Sequence, residues 1–119
     1  IATTAGIETL KILKENPGYY DELEKKTKRL AQAYKNRAEK HGEHISVNQI
    51  GSLMSAFFTD RDVTDYDSAT SSDLNKYSEY FGYMLENGIY VAPSQYESMF
   101  VSVAHTDEDI EKTCSIIED

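Results

Sequence analysis

Basic residues are scarce in this chain. Twelve lysines and arginines stand against twenty-one aspartates and glutamates, a net charge of −9 over 119 residues. So acidic a surface repels phosphate backbones and anionic headgroups, which argues against nucleic acid and membrane surfaces as partners. Cysteine is almost absent. The single Cys114 excludes an internal disulfide and fits a reducing, cytoplasmic compartment. No run approaches the roughly 20 apolar residues of a membrane-spanning helix. The first residues lack the basic-then-apolar order of a secretory signal. Also missing are a glycine-rich phosphate loop, a Ser/His/Asp set in recognisable context, repeats and low-complexity tracts.

What is present suits one globular domain. Apolar residues make up 39% of the chain, enough for a core at this length and too little chain for two domains. Ile1–Lys14 has helical spacing in Ile7, Leu10 and Lys14, with no Ser, Asp, Asn or Thr before it as a cap. A helix entered without a start signal is expected to be the cut end of a longer one. The chain then reads as the C-terminal piece of something larger. Asn16-Pro17 punctuates, with Asn16 expected to cap a second helix over Pro17–His41. Tyr20, Leu23, Thr27, Leu30, Tyr34 and Ala38 should form its buried stripe, and Gly42 its stop.

Ile45–Ile50 and Leu53–Thr59 read as a hairpin around Gly51-Ser52. The second of these strands is apolar on both faces, which predicts a central strand covered on both sides. Asp60–Asp73 reads as an acidic loop. A helix over Ser72–Asn87 should bury Leu74, Tyr77, Phe81 and Leu85 and end at Gly88. Ile89–Ala92 and Phe100–Ala104 read as two more strands, separated by the polar break Pro93–Glu97. Thr106 to Asp109 resembles a capping box opening a last helix with Ile110, Cys114 and Ile117 inward. The expected fold is α+β, a small antiparallel or mixed sheet of three to four strands with helices packed on one side.

The residues that could carry chemistry are few. Glu97 sits beside Ser94, Gln95 and Tyr96 in a loop between apolar strands, where binding groups collect. Its carboxylate could bind a substrate amine or relay a proton. The local sequence alone favours a solvated loop glutamate. His105 could be a ligand or base, although satisfying backbone groups at a helix start explains it better. His41 and His44 fit a helix C-terminus, with no third ligand for zinc. The aspartates at 60, 62, 65, 67 and 73 lack the EF-hand pattern and read as solvated. Tyr77, Tyr80, Phe81 and Tyr83 could form an aromatic platform, but helical spacing points to the core. Cys114 reads as an inert core thiol.

Two segments carry a resemblance. Gly51–Thr59 (GSLMSAFFT) resembles the Gly-Ser-Met strand of glutamate-1-semialdehyde 2,1-aminomutases. Residues 84–113, MLENGIYVAPSQYESMFVSVAHTDEDIEKT, are similar to that family's C-terminal signature, with the APSQYE and AHT stretches the specific part. Ile1–Leu13 (IATTAGIETLKIL) resembles the helix after the family's large domain. The likeness therefore spans the whole chain.

The resemblance implies the C-terminal small domain of an aspartate-aminotransferase-like, class III fold, with residues 1–14 as the helix joining the large domain. It implies an enzyme that uses pyridoxal phosphate to convert glutamate 1-semialdehyde, a small amino-aldehyde, to 5-aminolevulinate in tetrapyrrole (haem, porphyrin) synthesis. It also implies a homodimer. Glu97 would contact substrate, Ser94 and Gln95 would shape its loop, and Gly51 and Ser52 are a weaker assignment. The cofactor lysine, the aspartate on the pyridine nitrogen and the phosphate-cradling loops would belong to the large domain. None of the nine lysines here has a matching context. No pyridoxal phosphate is therefore expected on this chain alone, and no activity. Two alternatives remain. One is a related ω-aminotransferase, although such enzymes commonly place an arginine for a substrate carboxylate in this region, and residues 93–105 hold none. The other is a non-catalytic acidic interaction module.

Overall fold

The computed structural model describes all 119 residues. Its elements are α1 (Ala2–Glu15), α2 (Gly18–His41), β1 (Ser46–Ile50), β2 (Leu53–Phe57), α3 (Tyr66–Ala69), α4 (Leu74–Glu86), β3 (Met99–Phe100) and α5 (Asp107–Glu118). The three strands form one antiparallel sheet in the order β1-β2-β3. α2 lies along β1 and β2, with α5 beside it. This is the expected α+β layer.

The hairpin turn follows from Gly51. Its φ of 52° lies in the left-handed region, and Ser52 does not share it. Glycine first with a normal residue second is the type II′ pattern, whose twist matches the flanking strands. It sets the register that pairs Ile50 with Leu53 and Ser46 with Phe57. β2 is central, as expected. Within this chain, however, only one of its faces is covered: Met54, Ala56 and Phe58 are buried while Leu53, Ser55 and Phe57 are half-exposed.

Thr27, Ala33, Tyr34, Met54, Met84, Cys114 and Ile117 are the deepest side chains, at 2% exposure or less. Burying an Ile or Met fully contributes about 1.5–3 kcal/mol. The α2 stripe is buried or half-buried from Leu23 to Ala38, but Tyr20 is exposed. On α4 the buried face is Tyr77, Tyr80 and Met84, whereas Leu74 and Leu85 are about half exposed. The expected face was rotated by one position. Tyr80 wins the inward place because its hydroxyl meets that of Tyr34, so both buried phenols are satisfied.

Several boundaries differ from expectation. Asn16 does not cap α2; its side-chain amide donates to the Ile12 carbonyl at 2.8 Å and closes α1 instead. The acidic loop contains the short helix α3, capped by Asp65 and Ser68 reciprocally. Of the expected strand Phe100–Ala104 only Phe100 lies in β3, which runs Met99–Phe100. After Val101 donates to the Ser52 carbonyl, the chain would face the hairpin turn, and no strand backbone is left to pair with. Ile89–Ala92 runs without ladder bonds. Its first amide is taken by the end of α4, where Gly88 (φ 81°) donates to Leu85 and Ile89 to Met84, a Schellman closure. A cleft of about 380 Å³ then separates it from β3 and α5.

Charged contacts tie α2 to its surroundings. Arg29 forks onto Glu111 and reaches Glu118, and Arg37 pairs with Glu43 and bonds the Ile117 carbonyl. The Arg37 guanidinium holds Glu43 below the usual carboxylate range, and Arg29 with Asn36 does the same for Glu118. A carboxyl depressed in the native state stabilises above its unfolded pKa of about 4.3 and loses that contribution as pH falls through the lower native value. The urea midpoint should therefore be flat near neutrality and drop below about pH 4. Arg37→Met should make that acid drop shallower, because the largest influence holding Glu43 low is then gone. An unchanged acid limb would show that Glu43 contributes nothing.

α1 contributes no buried residue. Ile7, Leu10 and Ile12 are all about half exposed or more.

Candidate functional site

The break at residues 93–98 is an ordered loop. Its centre is Gln95, which is 3% exposed although it lies in a polar stretch. The Gln95 side-chain nitrogen donates to the Ala56 carbonyl at 2.8 Å, and its oxygen accepts from the Phe58 amide at 3.1 Å. These are the two bonds that a neighbouring strand would make there. Gln95 thus extends the sheet past the end of β3 with a side chain in place of backbone.

The rest of the loop is fixed locally. The Tyr96 amide donates to the Ser94 hydroxyl and the Glu97 amide to the Ser94 carbonyl, both at 3.2 Å. Such a turn suits a serine followed by residues that must reverse direction. Beyond it, the Ser98 and Ser55 hydroxyls bond at 3.1 Å. Before it, the Tyr77 hydroxyl donates to the Ala92 carbonyl at 2.5 Å. Burial, and secondarily the charge of Glu97, hold the Tyr77 phenol above its ordinary range. Glu97 is therefore bracketed by fixed points while its own carboxylate is exposed. An exposed carboxylate on an anchored turn can accept hydrogen bonds from an ammonium group or take a proton without moving its backbone.

The expected residues do not all converge. Ser94, Gln95 and Glu97 share the loop, but Gln95 faces the sheet and has both polar atoms occupied by backbone. Gly51 and Ser52 lie at the other end of β2. The register places Ser98 beside Ser55, four positions from Gly51, which at about 3.3 Å per residue is roughly 13 Å; Glu97 lies one residue further along the chain, in the turn. On the uncovered sheet face near Ser98, a hollow of about 300 Å³ is lined by Gln49, Leu53, Ser55 and Phe57 among others.

His105 takes the plainer role. Its Nδ1 accepts from the Ser102 amide at 3.0 Å, closing the turn before α5. The capping box follows as expected, with Thr106 and Asp109 bonded reciprocally. No cluster of His, Cys, Asp or Glu is arranged for a metal. Burial pushes the Cys114 thiol up to about 11, which leaves it a poor nucleophile. Tyr77 and Tyr80 are core, and Tyr83 is partly exposed.

One polar anchor has only a weak sequence signature. Lys26 is 7% exposed and donates at 2.6 Å both to Glu22 and to the His105 carbonyl, tying α2 to the turn before α5. The i, i+4 spacing of Glu22 and Lys26 was the available signal.

These residues do not fit an aldehyde cofactor held by a lysine and a phosphate cradle. Eight of the nine lysines are exposed, and the amine of Lys26 already donates to two partners. At the starts of α4 and α5, first-turn amides that could hold a phosphate already donate to Asp73 and Thr106.

Comparison with known proteins places this geometry. No family model matches the chain. Among curated proteins, it is 50% identical over 118 residues to a glutamate-1-semialdehyde 2,1-aminomutase of Natranaerobius thermophilus, covering 99% of this chain and 27% of that protein. To that of Chlorobaculum tepidum it is 54% identical, over 95% of this chain and 26% of the relative. To that of Persephonella marina it is 46% identical, over 100% and 28%. The chain spans about a quarter of the length of these relatives. Among solved structures, it superimposes on a Sphingopyxis FumI protein in its PLP internal aldimine form with a TM-score of 0.74 and 27% identity, covering 96% of this chain and 24% of the other. A β-phenylalanine aminotransferase from Variovorax paradoxus gives 0.68 and 25%, over 85% and 22%.

Proposed function

Because this chain belongs, over the quarter of their length that it spans, to the glutamate-1-semialdehyde 2,1-aminomutase family, we propose that it is the C-terminal domain of an enzyme with that activity. The reaction moves an amino group between adjacent carbons of glutamate 1-semialdehyde to give 5-aminolevulinate, a tetrapyrrole precursor. What carries the proposal is 46–54% identity along essentially the whole chain to proteins of that one name. The anchored loop presenting Glu97 is the part of this chain suited to meet an amine substrate.

Pyridoxal phosphate would supply the electron sink for amine chemistry in the complete enzyme. Its lysine and phosphate site are assigned to residues outside this chain. The residues here bind and orient. Glu97 offers the carboxylate, Gln95 and Ser94 hold the turn that carries it, and α1 with the uncovered sheet face meets the large domain. We further assign the complete enzyme to the cytoplasm as a homodimer. The acidic composition and single cysteine support the compartment, and the homodimer rests on the family resemblance.

The aminotransferase likeness of the solved structures favours a second reading, a transaminase with an external amino acceptor. The lack of an arginine between residues 93 and 105 weighs against it. Incubating the complete enzyme with glutamate 1-semialdehyde separates the two. The proposal expects 5-aminolevulinate without added acceptor or donor. Turnover only with a stoichiometric second amino or keto acid would select the transaminase.

A binding prediction goes with this. Mixed with pyridoxal phosphate, this chain alone should show no internal-aldimine absorbance and no single lysine labelled after borohydride. Stoichiometric trapping at one lysine would contradict the assignment of the cofactor site elsewhere.

A further inference from the structure

Tyr77 and Tyr80 lie one turn apart on α4, and both are buried. Their hydroxyls go different ways. Tyr80 meets Tyr34 inside the core. Tyr77 reaches out of its own helix to the Ala92 carbonyl, the last residue before the Glu97 loop. The Tyr77 ring also stands edge-on to Phe58, with centroids 6.1 Å apart and planes at 74°. The Phe58 amide is the one that Gln95 accepts from. Two anchors of the loop therefore converge on Phe58, one through its ring and one through its backbone. Only Pro93 and Ser94 separate the anchored residues Ala92 and Gln95.

We propose that Tyr77 is a positioning residue for the site: its hydroxyl fixes Ala92 and so presets the turn that presents Glu97. This rests on the reading of residues 93–97 as a substrate-contacting loop. A tyrosine here does what phenylalanine cannot. Ring packing against Phe58 would survive the change, but the carbonyl at the loop entrance would lose its donor. Losing one hydrogen bond of ordinary net strength shifts an equilibrium by about fivefold. The effect should fall on the population of the loop conformation that meets substrate, and thus on KM more than on kcat.

The test compares Tyr77→Phe with Tyr80→Phe in the complete enzyme. Amide exchange over residues 93–98 is read by mass spectrometry, beside steady-state kinetics and melting. For Tyr77→Phe, exchange in the loop should rise about fivefold, and KM should rise by no more than that factor, with kcat within about twofold. Tyr80→Phe should lower the melting temperature and leave loop exchange and KM unchanged, since its hydroxyl touches only Tyr34. Loop exchange equal to wild type in Tyr77→Phe overturns the inference, as does equal loosening by Tyr80→Phe. A wild-type enzyme that does not act on glutamate 1-semialdehyde would defeat the proposed function instead, and the exchange comparison would still decide whether Tyr77 holds the loop.

Discussion

Glu97→Gln in the complete enzyme should lower kcat/KM by about a hundredfold and leave the melting temperature within about 2 °C of wild type. The asymmetry follows from where the two halves of this residue sit. Its amide bonds Ser94 and belongs to the turn, and glutamine keeps that amide. Its carboxylate is exposed and contributes little to the fold. Glutamine also keeps the shape but removes the negative charge and the ability to take a proton. Whatever the substitution costs is therefore a cost to handling an amine or its proton. Parallel measurement of kinetics and melting decides it. Equal losses in both would assign Glu97 to the scaffold and leave the loop without a reactive group.

Gln95→Ala should have the opposite signature. Cutting the side chain leaves the Ala56 carbonyl and the Phe58 amide without their partners at a buried position. Leaving a buried backbone group unsatisfied costs about 1–3 kcal/mol, so the pair should cost about 3 kcal/mol. In a domain of this size that is roughly a 10 °C fall in melting temperature. Gln95→Glu sharpens the test. A carboxylate can accept from Phe58 but faces the Ala56 carbonyl with an oxygen, acceptor against acceptor. Only the protonated acid can donate there, so its native pKa should rise above the unfolded value of about 4.3. Relative to wild type, stability of Gln95→Glu should then be greatest in acid and decline as pH rises through the raised value. This is the reverse of the acid sensitivity contributed by Glu43 and Glu118. Melting curves across pH read this directly, and a Gln95→Ala protein as stable as wild type would remove Gln95 from the scaffold.

The helices were legible because their signals are local. The α2 stripe, the Gly88 stop and the Thr106–Asp109 cap each depend on residues within a turn or two of one another. The hairpin was legible for the same reason, Gly51-Ser52 being enough to set its register. What escaped was set by partners distant in sequence. Ile89–Ala92 is apolar enough for a strand, but its ends are claimed by α4 and by Tyr77, and no sequence pattern records that. The α4 face was misjudged because Tyr80 is drawn inward by Tyr34, forty-six residues away.

The geometry of the candidate site was legible only in part. The polar composition of 93–97 marked a loop worth attention, and the resemblance picked out Glu97 within it. Burial of Gln95 was not foreseeable from its neighbours, since a glutamine between serine and tyrosine reads as solvated. Its bonds to the Phe58 amide and the Ala56 carbonyl span thirty-seven and thirty-nine positions. Gly51 and Ser52 entered through the resemblance, and the strand register keeps them at the far end of β2 from Glu97.

A structure of the complete enzyme with an unreactive amine analogue of the substrate bound would be the most direct trial of the Glu97 assignment. A carboxylate oxygen of Glu97 should lie about 3 Å from the ligand nitrogen, or from one water bridging to it. A ligand seated in a closed site with Glu97 more than roughly 8 Å away, beyond reach through one water, would contradict it.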